Sequence, residues 1–419
     1  MLGKLARRCS FVFCALAGAT AAQAETAVRI TDLRPGGGSG VPGLDAAVFA
    51  DKLYFAATAD GGFLDLWSYD GALSPVKVPG SDEIQPTYLT TWLGALYFLG
   101  GPSSDRELWK YDGVQPPAEV LDLLDPGSGS PDLLTAFGSE LCFRAITSAD
   151  VGDELVCWDE ATAPDVYDLR TGALSALPDA LTVLGDRLYF GANVDGLGRE
   201  PWSHESFLAP ELVGDLRLGS SSSNPDSFVQ NGALLYLRAS DSGGNGRLWV
   251  DDGIAAPAMV STTFDVQGGV ASWAGKLLVD GFEEAATVAD AVAGEALDQL
   301  HVLRAGGLAP APWPGGRIFD AGSFLAHRNA LYFSATQSLA NETDLFRYCG
   351  GGIVDRVTDQ FADATASIQG VLVQFQGRIY FSADDGVNGR ELWALDPLTA
   401  LYCDGFEDGH DDDWSSSVP

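Results

Sequence analysis

Four oxygen-bearing side chains crowd one glycine-rich turn near the end of this 419-residue chain: Asp384, Asp385, Asn388 and Glu391, in DDGVNGRE (384–391). Carboxylates and an amide in a tight turn are the donors that calcium takes, so these four are the calcium candidates. Their spacing departs from the twelve-residue calcium loop, and Asp, Asn and Gly also serve hairpin turns that need positive φ. Related turns at Asp195 and Asp241 carry fewer acids. His204, His301, His327 and His410 are isolated in the sequence and form no pair at metal-ligand spacing. The chain has no G-x-S-x-G elbow, P-loop or dinucleotide fingerprint. With 58 Asp and Glu residues, carboxylate pairs have no meaning until a fold brings two together. No catalytic residue is assigned, and no binding residue is marked.

Cysteine offers a second chemistry. The chain opens with basic Lys4, Arg7 and Arg8, an apolar run from Ser10 to Ala21, and the small-x-small site Ala22-Gln23-Ala24. This is the pattern of a secretory leader, residues 1–24, too short to span a bilayer. Export into an oxidising compartment is therefore expected: secretion, the periplasm or an outer cell surface. Cys9 and Cys14 leave with the leader, while Cys142, Cys157, Cys349 and Cys403 remain. Four cysteines in an exported chain suggest two disulfides, and their spacing matches no zinc pattern. Cys142 and Cys157 fall on the two strands of one hairpin and are expected to pair. Cys349 with Cys403 follows by elimination. Without the leader, 21 basic side chains face 58 acidic ones. Such a balance repels nucleic acid and anionic lipid, and no other stretch is apolar enough to be a transmembrane segment.

What must position these residues is a repeat. A strand-like triplet recurs eight times: Leu53-Tyr54-Phe55, Leu96-Tyr97-Phe98, Leu141-Cys142-Phe143, Leu188-Tyr189-Phe190, Leu235-Tyr236-Leu237, Leu277-Leu278-Val279, Leu331-Tyr332-Phe333 and Ile379-Tyr380-Phe381. Successive starts lie 42–54 residues apart. A second mark, ELW-like, follows at a near-constant offset and places Trp67, Trp109, Val156, Trp202, Trp249, His301, Phe346 and Trp393. His301 takes a Trp position and reads as packing. Glycine-rich segments such as TDLRPGGGSG (31–40) and segments such as PDLLTAFGSE (131–140) recur as well. Each repeat then holds four strand candidates separated by Gly, Asp, Asn or Pro turns. A four-stranded sheet cannot bury both faces alone, and copies packed face to face around an axis cover one another. The expected fold is all-β, a β-propeller of four-stranded antiparallel blades spanning residues 25–403. Eight blades are expected, with seven plus a degenerate unit as the alternative. Either the strand near Val28 to Leu33 or TALYC (399–403) closes the ring. The recurring tryptophans are expected in the core.

The stretches GRELWALD, RELWKYDG and LDLWSYDG, with LYFSADDG upstream, resemble the ELW-x-x-D-G-T repeats of bacterial exported proteins, over most of residues 27–396. The chain departs where Ala72, Val114 and Ile254 replace the motif's Thr, and where the third, sixth and seventh repeats lack Trp. The resemblance implies a surface or secreted protein without an assigned chemistry. The acidic tail, residues 404–419, is similar to Gly-Phe-Glu-rich endings of Gram-negative exported proteins, which implies a sorting role; a disordered tail is the other reading. SADDGVNGRELW resembles a sialidase Asp-box, but its Trp stands too far downstream. The sixth repeat carries an insertion, EEAATVADAVAGEALD (283–298), with a short helical pattern. Taken together, the residues point to a non-enzymatic exported scaffold, expected to be monomeric, that binds a protein or glycan ligand on one rim. The alternative is a propeller hydrolase or lyase acting on an extracellular glycan, with acids gathered at the channel mouth.

Overall fold

The structure, a computed structural model, describes residues 27–283, 299–304, 307–310, 318–337, 343–349, 354–358 and 368–397. Its strands form eight four-stranded antiparallel sheets. The innermost strands are β2 (Ala46–Phe49), β6 (Thr87–Trp92), β10 (Asp132–Phe137), β14 (Asp179–Leu184), β18 (Asp226–Asn231), β22 (Phe264–Trp273), β26 (Ile318–His327) and β30 (Ile368–Phe375). Each touches the next, and β30 touches β2, so the ring is closed. Blades one to seven are contiguous in sequence. The eighth joins β30, β31 (Arg378–Asp384) and β32 (Arg390–Leu395) to the N-terminal β1 (Ala27–Arg29), with Val28 opposite Ala394. The N-terminal strand therefore closes the ring. The rival closing segment, 399–403, lies outside the described residues, as do the leader, the 284–298 part of the insertion, His410 and the tail.

The two sequence marks are cross-strand partners. Phe55 faces Trp67, Phe98 faces Trp109, Phe143 faces Val156, Phe190 faces Trp202, Leu237 faces Trp249, Val279 faces His301, Phe333 faces Phe346 and Phe381 faces Trp393. In seven of the eight the offset of 11–13 residues is the length of one hairpin, and the 22 residues from Val279 to His301 include the sixth repeat's insertion. Both faces of these middle strands are covered by neighbouring blades, so Leu53, Tyr54 and Phe55 are all buried although successive side chains point opposite ways. Burying each such apolar side chain is worth about 1.5–3 kcal/mol. Three indoles also donate across the hairpin, from Trp67 to the Ala57 carbonyl (3.1 Å), Trp249 to Ala239 (3.1 Å) and Trp393 to Ala383 (3.0 Å). His301 is buried edge-on to Phe264, with ring centres 4.7 Å apart, and so packs as expected.

The glycine-rich segments are loops between blades rather than strands, and the acid of the ELW-like mark explains why. Glu107, Glu154, Glu200 and Glu391 are wholly buried. Glu107 accepts the amides of Leu123 (2.9 Å) and Gly129 (2.6 Å), Glu154 those of Leu169 (3.0 Å) and Ala176 (2.9 Å), and Glu200 those of Leu216 and Ser223 (both 2.9 Å). One carboxylate thus satisfies both ends of a loop that no strand pairs. Across the ring closure Glu391 holds the near end of its loop, accepting from the Thr31 hydroxyl (2.6 Å) and the Leu33 amide (3.3 Å), while the amides of Gly40 and Val41 at the far end donate to the Arg390 carbonyl. The aspartates of the Asp-Gly turns close the opposite rim. Asp70, for example, accepts the amides of Ala72 (2.9 Å) and Leu73 (2.8 Å), holding the turn in which Gly71 takes φ 89°.

Candidate functional site at the channel mouth

Residues at the starts of the inner strands surround the channel on the rim that also carries the inter-blade loops. In three consecutive blades the first inner-strand residue is an aspartate after a buried proline: Pro131-Asp132, Pro178-Asp179 and Pro225-Asp226. The residue that follows has positive φ in each, Leu133 (58°), Ala180 (53°) and Ser227 (53°), as does Tyr88 (56°) after Thr87 in the second blade. The register shifts at the same places, between Asp132 and Thr135, Asp179 and Thr182, and Asp226 and Val229. The left-handed residue and the bulge turn the strand end away from regular pairing. Thr135 and Thr182 brace it by donating to the carbonyls of Leu133 and Ala180, both at 2.8 Å.

Each aspartate meets an arginine of its own blade. Asp132 pairs with Arg144, Asp179 with Arg199, and Asp226 with Arg238 at 2.7 Å. Arg199 also donates to the carbonyls of Leu177 (2.6 Å) and Gly191 (2.9 Å), and Arg238 reaches the Val266 carbonyl of the next blade at 2.9 Å. The pairs sense one another, since the Asp226 and Arg144 charges both act on Asp179. The arc continues to Asp45, which accepts the amides of Tyr88 (2.5 Å) and Leu89 (3.1 Å), and to the exposed ring of Tyr88. Burial raises the carboxyls of Asp132, Asp179 and Asp45 above the usual carboxylate range, against the lowering pull of the arginines or of backbone amides. Oδ1 of Asp132 and Oδ1 of Asp226 are buried and accept no hydrogen bond. The arc thus presents partly exposed Asp–Arg pairs next to an exposed aromatic.

The calcium candidates do not form one ligand set. Asp384 accepts the Gly386 amide (2.8 Å); Asp385 takes the amides of Val387 (3.0 Å) and Asn388 (2.8 Å) on one oxygen and the Asn388 side-chain amide (2.8 Å) on the other. Glu391 is buried on the inter-blade loop. The turn consumes these oxygens in its own geometry. Cys142 and Cys157 form the expected disulfide, directly opposed in register. Cys349 is disulfide-bonded, and Cys403 lies outside the described residues. The reading of His204 as isolated is corrected. It lies 3.8 Å from Cys157 Sγ and 3.7 Å from Glu140 Oε2, and Cys142, Cys157 and His204 form the one metal-type cluster among the described residues. These residues sit on neighbouring blades, so sequence spacing could not show the meeting. The Asp–Arg arc was also missed. Its signal is the Pro-Asp pair recurring at 131–132, 178–179 and 225–226, with Arg144 and Arg238 each twelve residues after its aspartate.

No protein-family model matches the chain, and no curated protein matches it. Among solved structures it is similar to a puromycin-hydrolyzing peptidase of Mycobacterium tuberculosis, with 14% identity over 81% of this chain and 57% of that one, at a TM-score of 0.50. It is also similar to a puromycin hydrolase, with 14% identity over 86% of this chain and 60% of that one, at a TM-score of 0.48. The β-propeller domain of the Trilobed protease from Pyrococcus furiosus matches with 12% identity over 77% of this chain and 99% of that domain, at a TM-score of 0.45. This chain spans little more than half the length of the mycobacterial peptidase. At these identities the likeness is one of fold. Among the described residues no helix is long and apolar enough to cross a membrane.

Proposed function

We propose that this chain is an exported, non-enzymatic propeller of the ELW-x-x-D-G-T repeat kind that holds a protein or glycan ligand at the channel mouth. The observation that carries the reading is the arc of Asp132–Arg144, Asp179–Arg199 and Asp226–Arg238, whose side chains are partly exposed at the mouth. Hydroxyls and backbone amides donate to carboxylate oxygens, and hydroxyl oxygens and carbonyls accept from the guanidinium groups. The half-exposed Tyr88 adds an aromatic face of the kind enriched at binding surfaces. Each carboxylate is held on a guanidinium, an arrangement suited to recognition more than to proton transfer. The secretory-leader pattern supports export.

The purified chain should be screened on a glycan array and against isolated bacterial envelope. Any ligand found should lose affinity about tenfold or more when Arg144→Glu and Arg238→Glu are combined, because two fixed donors become repulsive acceptors. Unchanged affinity in a folded double variant would remove the arc from the reading. The hydrolase alternative draws on the raised Asp132 and Asp179 carboxyls. It predicts glycan cleavage that Asp132→Asn and Asp179→Asn abolish, whereas a binding scaffold leaves the ligand intact.

A further inference from the structure

Three departures from the repeat meet at one seam. In most blades the middle of the first mark is tyrosine, as in Tyr97 and Tyr189; in the third blade it is Cys142. The partner strand places Cys157 directly opposite, on β12 (Glu154–Trp158). The fourth blade then ends its third strand, β16 (Gly198–His204), on a histidine where four other blades have Tyr69, Tyr111, Trp158 and Tyr348. Glu140, which opens β11 (Glu140–Ala145), completes the group from the turn before it. All four side chains are buried, none more than 1% exposed.

The donor atoms are close together, with the two sulfurs joined to each other in the oxidised chain and Glu140 reaching the group through His204. The ligand atoms of Cys142, Cys157 and His204 lie within 4.8 Å of one another. His204 Nε2 is 3.8 Å from Cys157 Sγ and 3.7 Å from Glu140 Oε2. Zinc–sulfur bonds near 2.3 Å and zinc–nitrogen bonds near 2.0 Å in a tetrahedron put such edges at roughly 3.3–3.6 Å. The surroundings are under-satisfied as well. His204 Nδ1 and the phenol oxygen of Tyr167, whose ring centre is 4.9 Å from that of His204, are buried without a hydrogen-bond partner. Glu140 Oε2 accepts the Phe207 amide at 3.3 Å, which holds the carboxylate beside the imidazole.

We propose that in the reduced protein this seam is a zinc site, with Cys142 and Cys157 as thiolates, His204 through Nε2 and Glu140 through its carboxylate. A dithiol reductant supplies two electrons and two protons, breaking the sulfur–sulfur bond to give two thiols and leaving as its own disulfide. Zinc then displaces one proton from each thiol. The site holds one dication against two thiolates and one carboxylate. The same seam is therefore sealed in either redox state, by a disulfide when oxidised and by a metal when reduced.

The test uses the full chain, reduced anaerobically with a phosphine and titrated with cobalt(II), then with zinc. The reduced chain should take one cobalt with sulfur-to-metal charge transfer and the visible bands of a tetrahedral ion, and zinc should displace it. The oxidised chain should show neither. Cys142→Ser with Cys157→Ser, which keeps Cys349 and Cys403, should abolish the charge-transfer band. His204→Gln and Glu140→Gln should each weaken zinc binding about tenfold to a hundredfold. If reduction alone unfolds the chain, zinc should restore its near-ultraviolet circular dichroism. A reduced chain without the band, a band that survives in the double serine variant, or an unfolded reduced chain that zinc does not restore would each overturn the proposal.

Discussion

The second blade and the fifth treat the same position in opposite ways. In the second, Glu107 is buried at the start of the ELW mark and accepts two loop amides. In the fifth, Arg247 takes that place, 2% exposed, and donates to the Phe264 carbonyl (3.0 Å) and the Asp241 carboxylate (2.8 Å). The position is thus an anchor for the inter-blade loop, and the groups the loop presents decide its sign. Where the acid is shorter, a hydroxyl helps: Asp344 works with Thr358, whose hydroxyl also accepts the Leu345 amide at 3.1 Å. The repeat conserves a task, and the residue that performs it varies.

Swapping the two anchors breaks the comparison most severely. Arg247→Glu writes the repeat's own acid into the fifth blade, yet it should destabilise the chain by about 3–5 kcal/mol, because a buried carboxylate would face Asp241 and a carbonyl. Urea unfolding measures this, and a stabilised variant would refute the anchor account. Glu107→Ala should come next, at about 2–5 kcal/mol, by leaving the Leu123 and Gly129 amides unpaired in the interior.

The acid anchors also make stability depend on pH. Burial pushes the Glu154 carboxyl up to about 7 from 4.5, more than its backbone amides lower it. The folded chain therefore holds a proton that the unfolded chain has released between these values, so Glu154 lowers stability as pH rises through that window. Melting temperatures from pH 5 to pH 8 should decline less steeply in Glu154→Gln than in the parent. An identical slope would remove Glu154 as the cause.

The smallest effect separates two kinds of tryptophan. Trp249 donates to the Ala239 carbonyl, whereas the Trp109 indole nitrogen is buried without a partner. Replacing each with phenylalanine removes a similar area, so Trp249→Phe should cost about 1 kcal/mol more than Trp109→Phe. Equal costs in thermal unfolding would show that the indole hydrogen bond adds nothing.

Most of the fold was legible before any coordinates, because it is written locally. Phe98 and Trp109 lie eleven residues apart and face each other across one hairpin, so the hairpin's length appears directly as a sequence offset. The count of eight and the Cys142–Cys157 pairing come from the same short range. The candidate sites were much less legible. Of Asp384, Asp385, Asn388 and Glu391, read either as calcium candidates or as turn residues, the first three bond within the turn, while the partners of Glu391 lie at the other end of the chain. Asp132, Asp179 and Asp226 drew no notice among so many acids, although their proline-led positions repeat.

By itself the sequence determined the module: a period of roughly 45 residues, its cross-strand aromatic pairs and the turns between them, since each needs only neighbours along the chain. The tertiary structure decided what lies between modules. It chose β1 as the closing strand, placed Glu391 against Thr31 360 residues away, brought His204 to the disulfide and lined up the aspartates around the mouth. The physical reason is that both faces of every middle strand are buried. A two-residue alternation then says that a side chain packs against a neighbouring blade, but not what it meets there.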